Sequence, residues 1–170
     1  RAAVLRAWSW TLWHDYDFDA ARPLAEEAMA EATASAADDV YRLALLESAV
    51  IDSFQDRLEP ALERIEQCHR LAVQAGDRSL AQRALLNSAV VQQSNGFPLA
   101  GVITLLEQVA EETRRSGAYG NLAFVLNNLG SAYHNAGRFE DVLALADENE
   151  VAAARAGNPH MVGSIHLHRA

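Results

Sequence analysis

The chain has 170 residues, of which half are hydrophobic and 7% aromatic, with 4 prolines and 9 glycines. This composition favours helices over strands, and the length allows one domain or four to five stacked helical repeats. All 14 basic residues are arginine and the net charge is -9, which opposes nucleic-acid binding and excludes chemistry that needs a lysine amine. A single cysteine, Cys68, excludes an internal disulfide and favours the cytoplasm, and no apolar run approaches membrane-spanning length.

Apolar periodicity and turn signals predict nine helices, over residues 2–14, 19–34, 38–54, 58–74, 78–94, 98–115, 119–136, 139–155 and 159–170. Glycine-bearing stops recur at Gly76, Gly117 and Gly157, and a second set of breaks lies between them. Each period of about 40 residues therefore holds two helices joined by a short turn. The predicted repeats cover residues 2–36, 37–76, 77–117 and 118–157, with a partial repeat over 158–170.

Part of the sequence of the first helix in each repeat recurs along the chain. The segment Ala44–Val50 of the second repeat returns 40 residues later as Ala84–Val90 of the third. One register holds large residues, namely Leu5, Leu45, Leu85 and Leu126, and a second holds small ones, namely Ser9, Ala49, Ala89 and Gly130. The small register of the second helices is predicted to be Ala21, Ala61 and Gly101, with Val142 as the exception. Large residues beside small ones allow paired helices to pack closely.

The run Leu126–Phe139, LNNLGSAYHNAGRF, is similar to the first helix and turn of the tetratricopeptide repeat (TPR) family. Asp52 and Gln92 stand where this run has Tyr133. The resemblance implies an all-α fold, a right-handed α-α superhelix in which antiparallel helix pairs form one TPR-like solenoid over residues 1–170. The longer period resembles the repeats of bacterial multidomain transcription regulators and signalling ATPases. Because the chain begins at Arg1 and stops within a predicted helix, we expect a fragment of a larger protein.

Alternating acids in the first turn raise the possibility of a calcium loop. Asp15, Asp17 and Asp19 alternate, and Glu26 lies where a loop-closing ligand would, but Ala20 replaces the required glycine. The run also coincides with a turn between helices, where Asp19 is able to cap the second helix. We therefore predict capping and solvation.

Two further patterns involve cysteine and histidine, and neither predicts a catalytic residue, a metal site or a cofactor. Cys68 and His69 are neighbours on a helix and point in different directions, which favours a buried cysteine over a nucleophile and base. The histidines at 160, 166 and 168 lack the spacing of three or four residues that aligns two ligands on a helix. The chain is predicted not to be an enzyme.

The resemblance implies that the first helices line a concave groove, and it selects candidate ligand-binding residues there: Trp10, Trp13, Phe54, Asn87, Asn128 and His134. Aromatic side chains would anchor a peptide and asparagine amides would bind its backbone. The alternatives are burial of both tryptophans against another repeat or domain, and ordinary solvation of the amides. Trp8 is assigned to helix packing with Leu5 and Leu12.

The predicted function is a protein- or peptide-binding module, the sensory or scaffolding segment of a bacterial cytoplasmic regulator. A basic or neutral ligand is favoured by the negative charge. The alternative is self-association or an interdomain scaffold with no peptide ligand. Neither nucleic acid nor a membrane is an expected partner of this segment.

Overall fold

The computed structural model describes residues 1–157, which form eight α-helices and no strand. The helices are α1 (Ala2–His14), α2 (Phe18–Ala34), α3 (Asp38–Phe54), α4 (Leu58–Gln74), α5 (Arg78–Ser94), α6 (Leu99–Ser116), α7 (Tyr119–Asn135) and α8 (Phe139–Ala156). The predicted bounds of these eight agree to about one residue at each end, and the all-α prediction is confirmed. The ninth predicted helix, 159–170, lies outside the described residues.

The helices belong to two compact units, Arg1–Val91 and Gln92–Ala170. In the first unit α1 packs on α2, α2 on α3 and α3 on α4, and α1 also contacts α3. In the second unit α6 packs on α7 and α7 on α8. Because α3 has neighbours on several sides, a continuous run of its residues is buried, from Ala44 to Ala49. A single repeat domain over 1–170 stays a prediction.

The small register of the first helices is buried as predicted. Ala49 and Ala89 are fully enclosed, and the buried Ser9 hydroxyl donates to the carbonyl of Ala21 at 2.9 Å. In the second helices the prediction is wrong at Gly101, which is exposed, while the next residue, Val102, is fully buried. The cause is the turn before α6, which spans residues 95–98 and so is one residue longer than the turn over 136–138.

Each turn between consecutive described helices contains one residue in the left-handed backbone region. Glycine supplies it in the later turns, as at Gly76 with φ +72°, where the missing Cβ removes the steric cost. The first three turns use Tyr16, Ala36 and Asp56 instead, with φ between 53° and 60°. The glycine stops predicted from sequence therefore have a conformational origin, and the early turns adopt the same conformation without glycine.

Gly130 is expected to be replaceable by alanine with a gain in stability. A Cβ built on Gly130 meets nothing within 4 Å, and alanine occupies the same register in α3 and α5. Alanine restricts the unfolded backbone, so Gly130→Ala should raise the free energy of unfolding by about 0.5–1 kcal/mol in chemical denaturation. Ala89→Leu is the contrasting variant: it should overpack the fully buried register and lower stability by about 1–3 kcal/mol. A loss of stability in Gly130→Ala would show that this position in α7, unlike its equivalents in α3 and α5, tolerates only glycine.

Candidate functional site

Aromatic side chains meet where α1 and α3 end and α2 begins, in the first unit. Trp10 and Trp13 stack with ring centroids 4.9 Å apart, and Trp13 meets Phe54 edge-on at 6.4 Å. Phe54 stacks on Phe18 at 4.9 Å with nearly parallel rings. Together with the adjoining rings these residues form what we call the aromatic surface: Trp10, Trp13, His14, Tyr16, Phe18 and Phe54.

The aromatic surface is open to solvent over much of its extent. Tyr16 is 77% exposed and Phe54 55% exposed, and Trp10 is also exposed. Trp13 and Phe18 are partly buried beneath them. Three of the six predicted groove residues, Trp10, Trp13 and Phe54, are thus brought together. Phe18 joins them although it was not among the predicted site residues; it lies at the repeat position of Leu58 and Phe139.

The acidic turn adjoins this surface, because Asp17 stands between Tyr16 and Phe18. The cap of α2 is Asp17 and not the predicted Asp19, because the amide of Ala20 donates to Asp17 Oδ1 at 3.2 Å. Asp19 lies two residues beyond the cap position and instead accepts a hydrogen bond from Gln55 Nε2 at 2.8 Å. Among residues 1–157, no group of histidine, cysteine and acidic side chains suited to a metal ion is present.

The assignment of Trp8 to helix packing is wrong. Trp8 is 61% exposed, and Val4, one turn earlier on the same face of α1, is 68% exposed. Leu5 and Leu12, its proposed partners, lie on a face that is partly buried. Val4 and Trp8 are four residues apart and share a side of α1, and both are exposed there.

The two predicted asparagines make the same local contact in different units. Asn87 Nδ2 donates to the carbonyl of Arg83 at 2.9 Å, and Asn128 Nδ2 donates to the carbonyl of Phe124 at 2.8 Å. The equivalent position in α3 holds Glu47, which is buried and forms an ion pair with Arg6. Burial raises the pKa of Glu47 to about 7, although the charges of Arg6 and Arg83 act to lower it.

His134 lies in the second unit near the end of α7. Its ring meets Phe139 edge-on at 5.5 Å, and the imidazole is exposed. Asn128 is on the same helix, whereas Asn87 belongs to the first unit. A groove shared by all six candidate residues stays a prediction.

The first unit contains a buried ionic network that was not predicted from the sequence. Asp52 is completely buried in α3, and Arg64 Nη1 lies 3.2 Å from its Oδ2. Arg57 Nη1 and Arg22 Nε lie 3.3 and 3.8 Å from Oδ1. Arg64 also donates to Glu26 Oε1 at 2.6 Å. Burial raises the pKa of Asp52, and the charges of Arg64 and Arg22 partly oppose that rise.

The second unit fills the equivalent positions, 81 residues later in the sequence, with a different set of contacts. Tyr133 replaces the aspartate, and its hydroxyl donates to Glu107 Oε1 at 2.7 Å. Arg138 lies over the Tyr133 ring, 4.2 Å from its centroid. Leu145 stands where the first unit has Arg64. A charged network and a tyrosine-centred one therefore occupy the same place in the repeat.

Cys68 is buried, as predicted, and its thiol donates to the carbonyl of Arg42 at 3.3 Å. Burial raises the pKa of Cys68 to about 11, so the thiolate that a nucleophile requires is disfavoured near neutral pH. The histidines at 160, 166 and 168 lie outside the described residues. Within residues 1–157, no helix is both long and apolar enough to span a membrane.

The chain is similar to solved structures in its fold but not in its sequence. No family model and no curated protein matches the chain. Aspartyl phosphate phosphatase F from Bacillus subtilis superposes with a TM-score of 0.91 at 12% identity, over 99% of this chain and 44% of that one. A putative kinesin light chain from Podosopora anserina, described as nearly identical TPR-like repeats, gives a TM-score of 0.75 at 15% identity, over 99% of this chain and 87% of that one.

The fold is an all-α, TPR-like solenoid. The resemblance carried by Leu126–Phe139 is confirmed at the level of fold. A variant of the same putative kinesin light chain, with one glutamine replaced by methionine, superposes equally well, with a TM-score of 0.75. The chain spans less than half the length of the phosphatase chain.

Proposed function

We propose that this TPR-like chain binds a protein or peptide and acts without catalysis, as the sensory or scaffolding segment of a bacterial cytoplasmic regulator. The observation that supports it best is the aromatic surface, where Trp10 and Phe54 present ring area to solvent. Exposed aromatic rings are typical anchors of protein interfaces because they bury much apolar area at little entropic cost. The bacterial setting draws support from the likeness to the phosphatase of Bacillus subtilis.

The proposal assigns two roles to the six predicted residues. Trp10, Trp13 and Phe54 anchor apolar side chains of the ligand in the first unit. In each unit an asparagine amide, Asn87 or Asn128, binds ligand backbone. A primary amide carries two N–H groups and an acceptor oxygen. One hydrogen bond to its own helix therefore leaves a second N–H group and the oxygen to bind a ligand. His134 adds an exposed imidazole on α7, the helix that also carries Asn128.

A random-sequence peptide array tests the binding function independently of ligand composition. Wild type should retain a reproducible subset of peptides, and Asn87→Ala with Asn128→Ala should weaken their binding about tenfold, because each lost backbone hydrogen bond contributes about 0.5–1.5 kcal/mol. Gln74→Ala with Gln108→Ala is the matched control, since both amides lie on second helices. Equal binding by the two double variants would place the site elsewhere, and no retained peptide would contradict peptide binding.

Self-association is the second candidate, favoured by the exposed face of α1 with Val4 and Trp8. Two copies that bury this face would remove a large indole from water. Sedimentation velocity over a range of concentrations tests it: the candidate requires a dimer in wild type and a monomer in Trp8→Gln. A concentration-independent monomer would contradict it.

A further inference from the structure

We propose that the aromatic surface, with Asp15, Asp17 and Asp19, docks an arginine-containing segment of a protein partner. The inference rests on the proposed binding function and names the chemistry of the ligand. It concerns only the first unit, where the end of α1, the following turn and the end of α3 meet.

The exposed aromatic rings can attract a cation. Phe54 and Tyr16 are mostly exposed, and the Trp10–Trp13 stack continues the surface from Phe54. An arginine guanidinium is attracted to such π faces, most strongly to tryptophan, and its plane can stack against them. Lysine has a compact, strongly hydrated charge and lacks that stacking geometry. The rings therefore favour arginine over lysine.

The adjoining acids provide the opposite charge. Asp15, Asp17 and Asp19 are all exposed, and none of the ion pairs found within residues 1–157 involves them. Asp17 and Asp19 each accept one neutral hydrogen bond, which leaves their negative charge without a counterion in those contacts. A guanidinium can bind a carboxylate with two parallel hydrogen bonds while its face lies on a ring.

Two of the three later turns of the same kind carry an arginine where the first turn carries an aspartate, and the third carries Pro98. Asp17 immediately precedes α2, and the residue that precedes α4 is Arg57, as the residue that precedes α8 is Arg138. Those arginines bind acids of their own unit: Arg57 contacts Asp52, and Arg138 Nε donates to Asp141 at 2.7 Å. At the first turn Asp17 reverses this charge, so the chain supplies no arginine at the position where Arg57 and Arg138 stand.

The second unit contains an example of the arginine contact that we propose for the ligand. Arg138 lies over Tyr133 at 4.2 Å from the ring centroid while its Nε binds Asp141. A second arginine, Arg155, lies over Tyr119 at 4.7 Å. Ring, carboxylate and guanidinium thus combine within one chain. In the first unit the aromatic surface supplies the rings and the adjoining aspartates supply the carboxylates.

The probe is a fluorescently labelled octapeptide of alternating arginine and leucine. Its control replaces each arginine by citrulline, which keeps the shape of the side chain and removes the charge. Fluorescence anisotropy with wild type should show binding of the arginine peptide that is at least about tenfold tighter than that of the citrulline peptide. The difference should shrink as salt is added, because the carboxylates are exposed.

Charge removal on the protein uses Asp15→Asn, Asp17→Asn and Asp19→Asn together. Asparagine caps helices as well as aspartate does and keeps the acceptor for Gln55, so the fold is retained. The triple variant should weaken binding of the arginine peptide about tenfold. The matched control removes three exposed charges elsewhere, through Glu59→Gln, Glu63→Gln and Glu140→Gln, and should change binding by less than about twofold.

Ring removal uses Trp10→Leu with Phe54→Leu, which keeps apolar area and eliminates the π faces. Loss of two exposed cation–π contacts should weaken binding of the arginine peptide about fivefold to tenfold, with circular dichroism confirming the helices. Equal affinity for the arginine and citrulline peptides would overturn the arginine preference. Equal weakening by the two triple variants would overturn it as well, since net charge alone would then explain binding. No affinity for the arginine peptide also overturns it, while the random-sequence array still decides the proposed function.

Discussion

Replacing Arg64 by leucine is expected to lower the free energy of unfolding by about 2–4 kcal/mol, because it leaves Asp52 and Glu26 without their shared cation. Asp52 is fully buried, so water cannot replace the guanidinium. Arg57 stays 3.3 Å from Asp52 and limits the loss. Chemical denaturation followed by circular dichroism measures the change. Arg70→Leu, which breaks an exposed pair with Glu66, should cost less than about 1 kcal/mol.

The second unit suggests how to repair the loss. Asp52→Tyr combined with Arg64→Leu copies the Tyr133 and Leu145 arrangement into α3 and α4. The new phenol should donate to Glu26 as Tyr133 donates to Glu107, and Arg57 should lie over the ring as Arg138 does. Because no buried carboxylate is then left unpaired, the double variant should recover most of the stability lost in Arg64→Leu. A double variant less stable than Arg64→Leu would contradict the equivalence of the two networks.

The helices were predictable from sequence because a period of about 20 residues separates successive turns, and each turn carries a break. The error at Gly101 shows the limit of that regularity. One extra residue in the turn over 95–98 shifts the register of α6, so that Val102 takes the buried position. Periodicity places helices well, but the length of a turn decides which side chain points inwards.

The candidate site was predictable only in part, since tertiary contacts determine most of it. Trp10, Trp13 and Phe54 were chosen for their register, and α1 and α3 bring them together. The ionic network was missed because Asp52 was interpreted only as a departure from the tyrosine position. A signal was present: Arg57, which immediately precedes α4, and Arg64 within it are seven residues apart, a spacing that places them on one side of the helix. That signal shows two cations on one face and says nothing of which buried acid they bind.

Glu47 is expected to make stability depend on pH. Burial raises its pKa from 4.5 to about 7 in the folded chain. Between these pH values the unfolded chain releases the proton while the folded chain keeps it, so stability falls as pH rises through this window. At about 1.4 kcal/mol for each unit of pKa difference, the full loss is about 3 kcal/mol. Glu47→Gln cannot ionise and should lack this loss.

The measurement is the free energy of unfolding of wild type and Glu47→Gln between pH 4.5 and 8. Other acids titrate equally in both proteins, so the difference between the two curves isolates Glu47. As pH rises to neutrality, the free energy of unfolding of Glu47→Gln should increase by about 3 kcal/mol relative to that of wild type. The difference should become constant above the pKa of Glu47. Glu59→Gln, at an exposed position of α4, should leave the wild-type pH profile unchanged. Parallel profiles for wild type and Glu47→Gln would mean that the ion pair with Arg6 keeps the carboxylate charged throughout, and that its attraction outweighs the cost of burial.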